Sequence, residues 1–154
     1  MIFMNLIDKA SEYAIKKHGT QKRRNGITPY HTHLKDVVAK LIEYEITDTN
    51  TLVSAWLHDT VEDTDTTFDD IRKHFGDKVA GYVDILTRTG NDDIYISRLR
   101  EADFNVKMIK YCDIMSNLED LSNSGLSDQE KLIYHNKKED ILMAILPQIL
   151  KELE

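Results

Sequence analysis

Four residues of the sequence have side chains suited to metal-assisted hydrolysis. They are His33, the adjacent pair His58-Asp59, and Asp113, which together supply two imidazoles and two carboxylates. Mixed His and Asp ligation suits a first-row divalent metal such as manganese, iron or zinc, and suits magnesium less well. Such a metal lowers the pKa of bound water and binds a phosphoryl oxygen. The four residues therefore indicate a divalent metal site able to act on phosphate groups.

The segment that ends in His58-Asp59 is otherwise apolar. Leu52–Leu57 is hydrophobic on nearly every face, which is typical of a central, buried helix. Glu62 and Asp63 follow His58 and Asp59 by one helical turn, so the pairs would share neighbouring faces. Carboxylates at a helix C-terminus cost about 0.3–1 kcal/mol each unless positive charge compensates, and a bound cation would do so. On these residues alone, an earlier helix end with solvated Glu62 and Asp63 is equally open.

A second helix, predicted over Val106–Leu121, carries a sparse polar stripe. Lys110, Asp113 and Asn117 recur at helical spacing opposite an apolar stripe. Such a stripe is usually the solvent-exposed face of a helix. The exposed faces elsewhere in this sequence are rich in Lys and Glu, however, so a single Asp followed by Asn favours a ligand-binding face. The residues leave both interpretations open.

The remaining periodicity predicts an all-α fold, a helical bundle of about eight helices in one domain spanning residues 1–154. Start and stop residues support several boundaries. Pro147 is expected to bend or end the last helix. In chain order the predicted helices cover roughly residues 1–18, His33–Glu45, a segment after an N-cap at Asp48, a segment from the capping box Thr67–Asp70 to Gly76, Lys78–Arg88, Ile94–Glu101, Val106–Leu121, and a long helix after a capping box at Ser127–Glu130.

Composition and charge exclude several classes of protein. The chain has 154 residues, 41% of them hydrophobic, with a formal net charge of -7. An acidic chain is a poor candidate for binding a nucleic-acid duplex. No stretch approaches the roughly 18 apolar residues of a membrane span, and the apolar start is too short for a signal peptide. With the single cysteine Cys112, these features predict a cytoplasmic protein without disulfides.

Basic residues crowd one short stretch of this acidic chain, between Lys16 and Arg24. A local cationic patch can hold a small anionic ligand while the rest of the surface repels polyanions. A charge run alone more often forms a solvated surface. The patch indicates an anion-binding site only in combination with the metal-site residues.

Four blocks match a known family in the right order across about residues 6–121. The blocks are His18–Arg23 followed by Gly26, Pro29, Tyr30 and His33; Leu57–Thr64; Phe75–Val79 followed by Leu86–Arg88; and Lys110–Asp113 followed by Asn117. Together they resemble the HD superfamily of metal-dependent phosphohydrolases. Within it, they resemble the hydrolase domain of the RelA/SpoT-type alarmone enzymes and the free-standing small alarmone hydrolases. The eight-residue block Leu57–Thr64 matches almost letter for letter. This match favours a functional role for Glu62 and Asp63 over the alternative in which they belong to a solvated loop.

The resemblance implies an HD-type fold and a role for each matching residue. The reaction in the family is removal of the 3′-pyrophosphate of the alarmone ppGpp, a nucleotide of the stringent response, usually with manganese. The implied roles are metal binding by His33, His58, Asp59 and Asp113; positioning or deprotonation of water by Glu62 and Asp63; stacking on or clamping of the base by Arg23; positive field for the phosphates from Lys22 and Arg24; and substrate contact by Asn117 and Lys110.

The sequence departs from the family pattern at several positions. His31 stands where an aliphatic residue is usual and is expected to be a neutral neighbour of the metal ligands. Cys112 stands where Ala is common, and Arg88 stands where Lys is usual. The last helix matches the family pattern poorly. Its candidate phosphate contacts are Lys131, Tyr134 and Lys138, which the matching blocks do not include. These changes leave the metal residues intact and leave the substrate open.

Two alternatives therefore stay beside the ppGpp hydrolase. That first hypothesis includes close relatives of ppGpp such as an adenine alarmone, whereas in the first alternative the same site acts on a nucleoside monophosphate or another nucleotide phosphate. A helical module could instead use the cation structurally, or bind a nucleotide as a sensor. The pair Glu62-Asp63 favours an enzyme, because a purely structural site needs no carboxylate that activates water. The sequence does not predict the oligomeric state.

Overall fold

The computed structural model describes residues 4–153, and within this range nine α-helices account for most of the chain. A short 3-10 turn, Leu121–Asn123, joins the last two. The α-helices in chain order are α1 Leu6–His18, α2 His31–Glu43, α3 Thr49–Leu57, α4 Thr60–Asp63, α5 Phe68–Phe75, α6 Asp77–Leu86, α7 Asp92–Glu101, α8 Phe104–Asp120 and α9 Asp128–Glu152. The predicted all-α class is confirmed, and the described residues contain no β-strand beyond an isolated bridge between Lys22 and Pro29.

Side-chain caps fix several helix starts where the sequence predicts them. Asp48 accepts a hydrogen bond from the backbone N–H of Thr51 at the start of α3. Thr67 and Asp70 form the full capping box of α5, which Gly76 ends with a positive φ of 95°. The Ser127 hydroxyl caps α9 through the N–H of Glu130. The predicted box at Ser127 is incomplete, because the Glu130 carboxylate accepts from that hydroxyl and not from the backbone.

The prediction that the third helix runs through His58 to Asp59 is wrong. Helix α3 ends at Leu57, and Thr60–Asp63 forms a separate single turn, α4. Side chains satisfy the carbonyls of the last α3 turn: the Thr60 hydroxyl donates to the Leu57 carbonyl at 2.7 Å, and His58 Nδ1 lies 2.7 Å from the Ala55 carbonyl. Such side-chain bonds compete with the helix ladder. The break lets His58 and Asp59 face the same site.

Helix α3 is the centre of the bundle, as its apolar sequence predicts. It packs against α1, α2, α6 and α8, while α9 covers α7 and α8. Every residue from Thr51 to Leu57 is buried. Burial of aliphatic side chains stabilises the fold by about 1.5–3 kcal/mol for each, relative to exposure. The end of α3 is therefore held firmly at the middle of the molecule.

The basic segment between α1 and α2 is a tight, paired loop. The Tyr30 N–H donates to the Gln21 carbonyl at 2.9 Å, and the Arg23 N–H donates to the Thr28 carbonyl at 2.8 Å. Gly26 makes the reversal with a positive φ of 71°, which favours glycine. The backbone therefore fixes where the side chains of this loop stand.

The predicted helix boundaries differ from the structure by a few residues. Helix α2 begins at His31, directly after Pro29-Tyr30, and ends at Glu43 before Glu45 adopts a positive φ of 63°. Pro147 does not end the last helix, since α9 continues to Glu152. Proline removes one backbone donor, and Pro147 is exposed, so water can satisfy the carbonyl left without a partner. Within residues 4–153, no helix is both long enough and apolar enough to cross a membrane.

Candidate metal and phosphate site

The structure brings the four predicted metal-site residues together from three parts of the bundle. His33 comes from the first turn of α2, His58 and Asp59 from the break after α3, and Asp113 from the middle of α8. One donor atom from each residue lies within 4.8 Å of all the others. His31 does not belong to this cluster, in line with the expectation that it is a neighbour only. The four residues form a group with the geometry and chemistry to bind a divalent metal ion.

The distances within the cluster show how closely its polar atoms approach one another. His33 Nε2 lies 2.8 Å from Asp113 Oδ1 and 3.9 Å from Asp59 Oδ2. His58 Nε2 lies 3.1 Å from Asp59 Oδ2 and 3.3 Å from Asp113 Oδ1. All four side chains are at least four-fifths buried. Two carboxylates at this burial require positive charge beside them.

The tautomer of His58 tests whether a metal fits this cluster. Its Nδ1 faces the Ala55 carbonyl, which only accepts, so Nδ1 carries a proton and the neutral ring presents a lone pair at Nε2. That lone pair faces oxygen atoms of Asp59 and Asp113. Three converging acceptors need a cation between them, and the pattern of a backbone carbonyl orienting a histidine is common behind metal ligands. The donor set therefore fits a divalent cation.

The pKa shifts in the cluster follow from the same arrangement. Burial alone lowers the pKa of His58, but the two facing carboxylates outweigh burial and raise it well above the ordinary value, so without a bound metal a second proton on the ring supplies the positive charge that a cation would otherwise supply. Burial raises the pKa of Asp113, yet the cations of Lys110 and His58 lower it well below the ordinary value. Tyr30 donates its hydroxyl hydrogen bond to Asp59, and burial with the Asp59 charge raises the pKa of Tyr30. The cluster thus favours ionised carboxylates.

Partners outside the cluster hold its members in place. Ser116 Oγ lies 3.0 Å from His33 Nδ1, which leaves Nε2 of that ring facing the carboxylates. Lys110 Nζ donates to Asp113 Oδ2 at 2.9 Å, and Asn117 Nδ2 donates to Asp113 Oδ1 at 3.2 Å. Sequence reasoning assigned no role to Ser116, although its place three residues after Asp113 puts it on the same face of α8.

A cavity of about 350 Å³ opens beside the cluster and collects nearly all the other predicted site residues. Its walls come from the loop between α1 and α2, the segment after α3 and helices α8 and α9, among other parts of the chain. The predicted site residues that line it are Lys22, Arg23, Arg24, Asp59, Glu62, Asp63, Lys110, Asp113, Asn117, Tyr134 and Lys138. Of the three candidate contacts on the last helix, Lys131 does not line the cavity. The polar stripe of α8 is therefore a buried, site-facing surface and not a solvent-exposed face.

Glu62 and Asp63 stand on the wall of this cavity, at the single turn α4. The Glu62 carboxylate accepts a hydrogen bond from the backbone N–H of Arg88, and Asp63 Oδ2 accepts from Gln21 Nε2 at 3.3 Å. Both residues remain solvent-accessible, as the solvated alternative predicts, but they face the cavity. Partial burial raises the pKa of each carboxyl, and the nearby Asp59 charge adds to the effect.

The opposite wall carries positive charge from three elements. The Arg24 guanidinium lies 4.2 Å from the ring centre of Tyr134, and Lys138 Nζ lies 5.1 Å from the same ring. Burial and the neighbouring cation of Lys110 lower the pKa of Lys138 to about 8. Arg88 and Tyr95 also line this wall, a role that the sequence analysis did not assign. Clustered cations of this kind are suited to bind phosphate groups.

The Arg23 side chain, which is expected to stack on or clamp the base, is held by two partners at the cavity wall. Its guanidinium donates to Asn117 Oδ1 at 3.1 Å and lies 3.2 Å from Asp120 Oδ2, with a side chain that is only 8% exposed. Asp120 was not predicted as a partner, because this ion pair joins the basic loop to the end of α8. The pair fixes the plane of Arg23 at the cavity wall.

The comparisons define the class of this protein. A family model described as HD domain matches residues 10–139, and the chain belongs to that family. Guanosine-3′,5′-bis(diphosphate) 3′-pyrophosphohydrolase MESH1 of Xenopus tropicalis is 33% identical over 152 residues, covering 91% of this chain and 84% of that protein. The Homo sapiens protein of the same name is 37% identical over 127 residues, covering 74% and 68%.

A bacterial relative and a solved structure agree with this assignment. The guanosine-3′,5′-bis(diphosphate) 3′-pyrophosphohydrolase of Aquifex aeolicus is 46% identical over 84 residues, but the match covers only 12% of that longer protein. The structure of a metazoan SpoT ortholog, described as hydrolysing ppGpp and playing a role in starvation responses, matches with a TM-score of 0.83 and 29% identity. It covers 94% of this chain and 88% of that one. The predicted family and HD fold are confirmed.

Proposed function

We propose that this chain is a metal-dependent hydrolase that removes the 3′-pyrophosphate of ppGpp or a closely related alarmone. The observation that carries the proposal is the shared cavity, in which the His-Asp cluster, the carboxylates of α4 and the cationic wall face one another. Relatives that span most of this chain are named for that reaction. The cavity volume of about 350 Å³ is within the range of small-ligand sites.

In this proposal His33, His58, Asp59 and Asp113 hold the metal, with manganese as the native ion. A divalent cation there would lower the pKa of a water molecule and offset negative charge on the scissile phosphate. Lys110 and Asn117 keep Asp113 oriented through their hydrogen bonds, and they reach the substrate from the same wall. Tyr30 and Ser116 do the same for Asp59 and His33.

Glu62 and Asp63 position the attacking water or accept a proton from it in the proposed reaction. Their raised pKa values suit groups that accept a proton from water near neutral pH, since a base works best when its pKa is close to the working pH. Glu62 keeps acceptor capacity after its bond to the Arg88 N–H, because a carboxylate offers about four lone-pair sites. Asp63 has the same capacity beside Gln21.

The cationic wall binds the phosphates. Lys22, Arg24 and Lys138 supply charge, and the buried Tyr134 hydroxyl lacks a hydrogen-bond partner among the described residues, so it is available to a ligand. Arg23 presents its fixed guanidinium plane to the nucleotide base, on which such planes stack well. We further propose that the protein acts in the cytoplasm, in the stringent response, because its proposed substrate is the alarmone of that response.

Replacing Arg23 with alanine should weaken substrate binding more than it slows chemistry. We expect the KM for ppGpp to rise about 10-fold, as for loss of a stacked cation, while kcat changes less. Steady-state kinetics measure both values. The matched control is Arg72→Ala on α5, whose guanidinium pairs with Asp69 on the surface. An unchanged KM in Arg23→Ala would contradict the base-clamping role.

A panel of nucleotides tests the proposed substrate. Purified protein with manganese should show its highest kcat/KM on ppGpp, compared with the adenine counterpart and with nucleoside monophosphates. Preference for the adenine compound would keep the reaction and change the base. Preference for a monophosphate would move the assignment to a different phosphohydrolase of the same family. Metal-loaded protein inert on every nucleotide would contradict the enzyme assignment.

A further inference from the structure

A chain of side-chain hydrogen bonds leads from the end of α1 to Asp63. His18 Nδ1 lies 2.8 Å from Gln21 Oε1, and Gln21 Nε2 donates to Asp63 Oδ2 at 3.3 Å. Among these residues, only Asp63 has a part in the proposed chemistry. His18 and Gln21 belong to the family block in the loop, but their types alone do not say what they do.

Only one assignment of donors and acceptors satisfies both hydrogen bonds between His18, Gln21 and Asp63. The Asp63 carboxylate accepts hydrogen bonds, so the Gln21 amide must present its NH₂ group to Asp63. Its oxygen then faces His18, and Nδ1 of the His18 ring must carry the proton. A flipped amide would place a carbonyl oxygen against the carboxylate and leave both without a donor. The protonated Nδ1 of His18 therefore selects the amide orientation that supports Asp63.

Both supporting side chains are held rigidly. His18 is only 5% exposed, and its ring packs against Tyr30 with centroids 4.8 Å apart. The Gln21 backbone is fixed at both ends, since its N–H donates to the His18 carbonyl and its carbonyl accepts from the Tyr30 N–H, each at 2.9 Å. Asp63 has no such constraint of its own, because it stands on a single helical turn at the cavity wall. Its orientation depends on the partner it meets there.

We propose that His18 and Gln21 are positioning residues that orient the Asp63 carboxylate toward the water that attacks the substrate. The inference rests on the role given to Asp63 in the proposed function. His18 acts only through Gln21, since it lies outside the cavity, whereas Gln21 lines it. The imidazole thus contributes a directed hydrogen bond, and its packing on Tyr30 serves to hold the ring.

Two substitutions at His18 separate the hydrogen bond from the packing. His18→Phe keeps a ring against Tyr30 but has no donor, while His18→Asn keeps an N–H donor near the position of Nδ1 but has no ring. We expect kcat for ppGpp to fall about 10-fold or more in His18→Phe, because the Gln21 amide is then no longer held in the orientation that donates to the charged Asp63 carboxylate. His18→Asn should retain most of kcat. A packing role would reverse this order.

Substitution of Gln21, a partly exposed loop residue, tests the middle link of the hydrogen-bond chain. Gln21→Leu should lower kcat as much as His18→Phe, with KM and manganese affinity within about 2-fold of wild type. The double variant should be no slower than either single variant, because both changes break one chain. Thr20→Ala is the matched control, an exposed residue of the same loop. Unchanged kcat in Gln21→Leu, or a rise in KM alone, would overturn the proposal.

The tautomer of His18 gives a readout that does not depend on turnover. Nitrogen-15 NMR of the imidazole at pH 8 should show the Nδ1–H form in the wild-type protein and a change in that signal in Gln21→Leu. The Nε2–H form in the wild type would overturn the hydrogen-bond chain. If the wild type does not cleave ppGpp, the proposed function fails, and the NMR result still decides whether the chain exists.

Discussion

Asp59→Ala should abolish manganese binding and turnover together. Asp59 Oδ2 lies within 4 Å of both histidine Nε2 atoms of the cluster, and its loss would leave Asp113 as the only carboxylate of the cluster. Removing a ligand of a catalytic metal costs several kcal/mol of transition-state stabilisation, which predicts a loss of at least about 1000-fold in kcat/KM. Calorimetric titration with manganese and a ppGpp assay measure the two effects.

The control for this substitution is Asp65→Ala, a few residues along the chain. The Asp65 carboxylate is 84% exposed and pairs with Lys17 on the surface at 2.9 Å. Exposed pairs contribute about 0–1 kcal/mol, so stability, metal binding and turnover should all stay close to wild type. Circular dichroism establishes that both variants fold. A folded Asp59→Ala protein with full activity would contradict the assignment of the metal site.

Of the proposed substitutions, Lys110→Met should cause the largest fall in the free energy of unfolding of the metal-free protein. The Lys110 and Asp113 side chains are 9% and 7% exposed, and their polar atoms are 2.9 Å apart. Removing one partner of a buried ion pair leaves an uncompensated charge and typically costs about 3–5 kcal/mol. Urea unfolding in the presence of a chelator measures the change. Added manganese should restore part of the stability, since a ligand that binds only the folded state stabilises it.

Lys40→Met is the control for Lys110→Met, because it removes a lysine from an exposed pair across α2 and α8. Lys40 Nζ lies 2.9 Å from Glu119, whose side chain is 64% exposed. Loss of that pair should change the free energy of unfolding by less than about 1 kcal/mol. Equal stability of Lys110→Met and wild type without metal would contradict the account of Asp113 as a buried anion.

The cluster of His33, His58, Asp59 and Asp113 could be predicted because these residue types are unusual at their positions in the sequence. A His-Asp pair after a fully apolar helix, and a single Asp on a sparse polar stripe, are poorly explained by packing alone. The order of the matching blocks then placed His33 with them. The all-α class followed from helical periodicity and from caps such as Thr67, which depend only on residues close in the chain.

Two kinds of feature could not be predicted: a helix break made by local side-chain bonds, and features that depend on distant contacts. The helix break at His58 arises because its side chain and that of Thr60 satisfy the last carbonyls of α3, which periodicity does not encode. The pairing of Arg23 with Asp120 joins residues far apart in sequence. The place of Lys138 in the cavity and the absence of Lys131 from it depend on how α9 lies against α7 and α8.

The most direct test of the central claim is the product of ppGpp cleavage by purified protein with manganese. The account predicts release of pyrophosphate together with GDP, loss of both products when a chelator is added, and recovery when manganese is restored. Failure to release pyrophosphate and GDP from ppGpp, with the metal demonstrably bound, would contradict the proposed reaction.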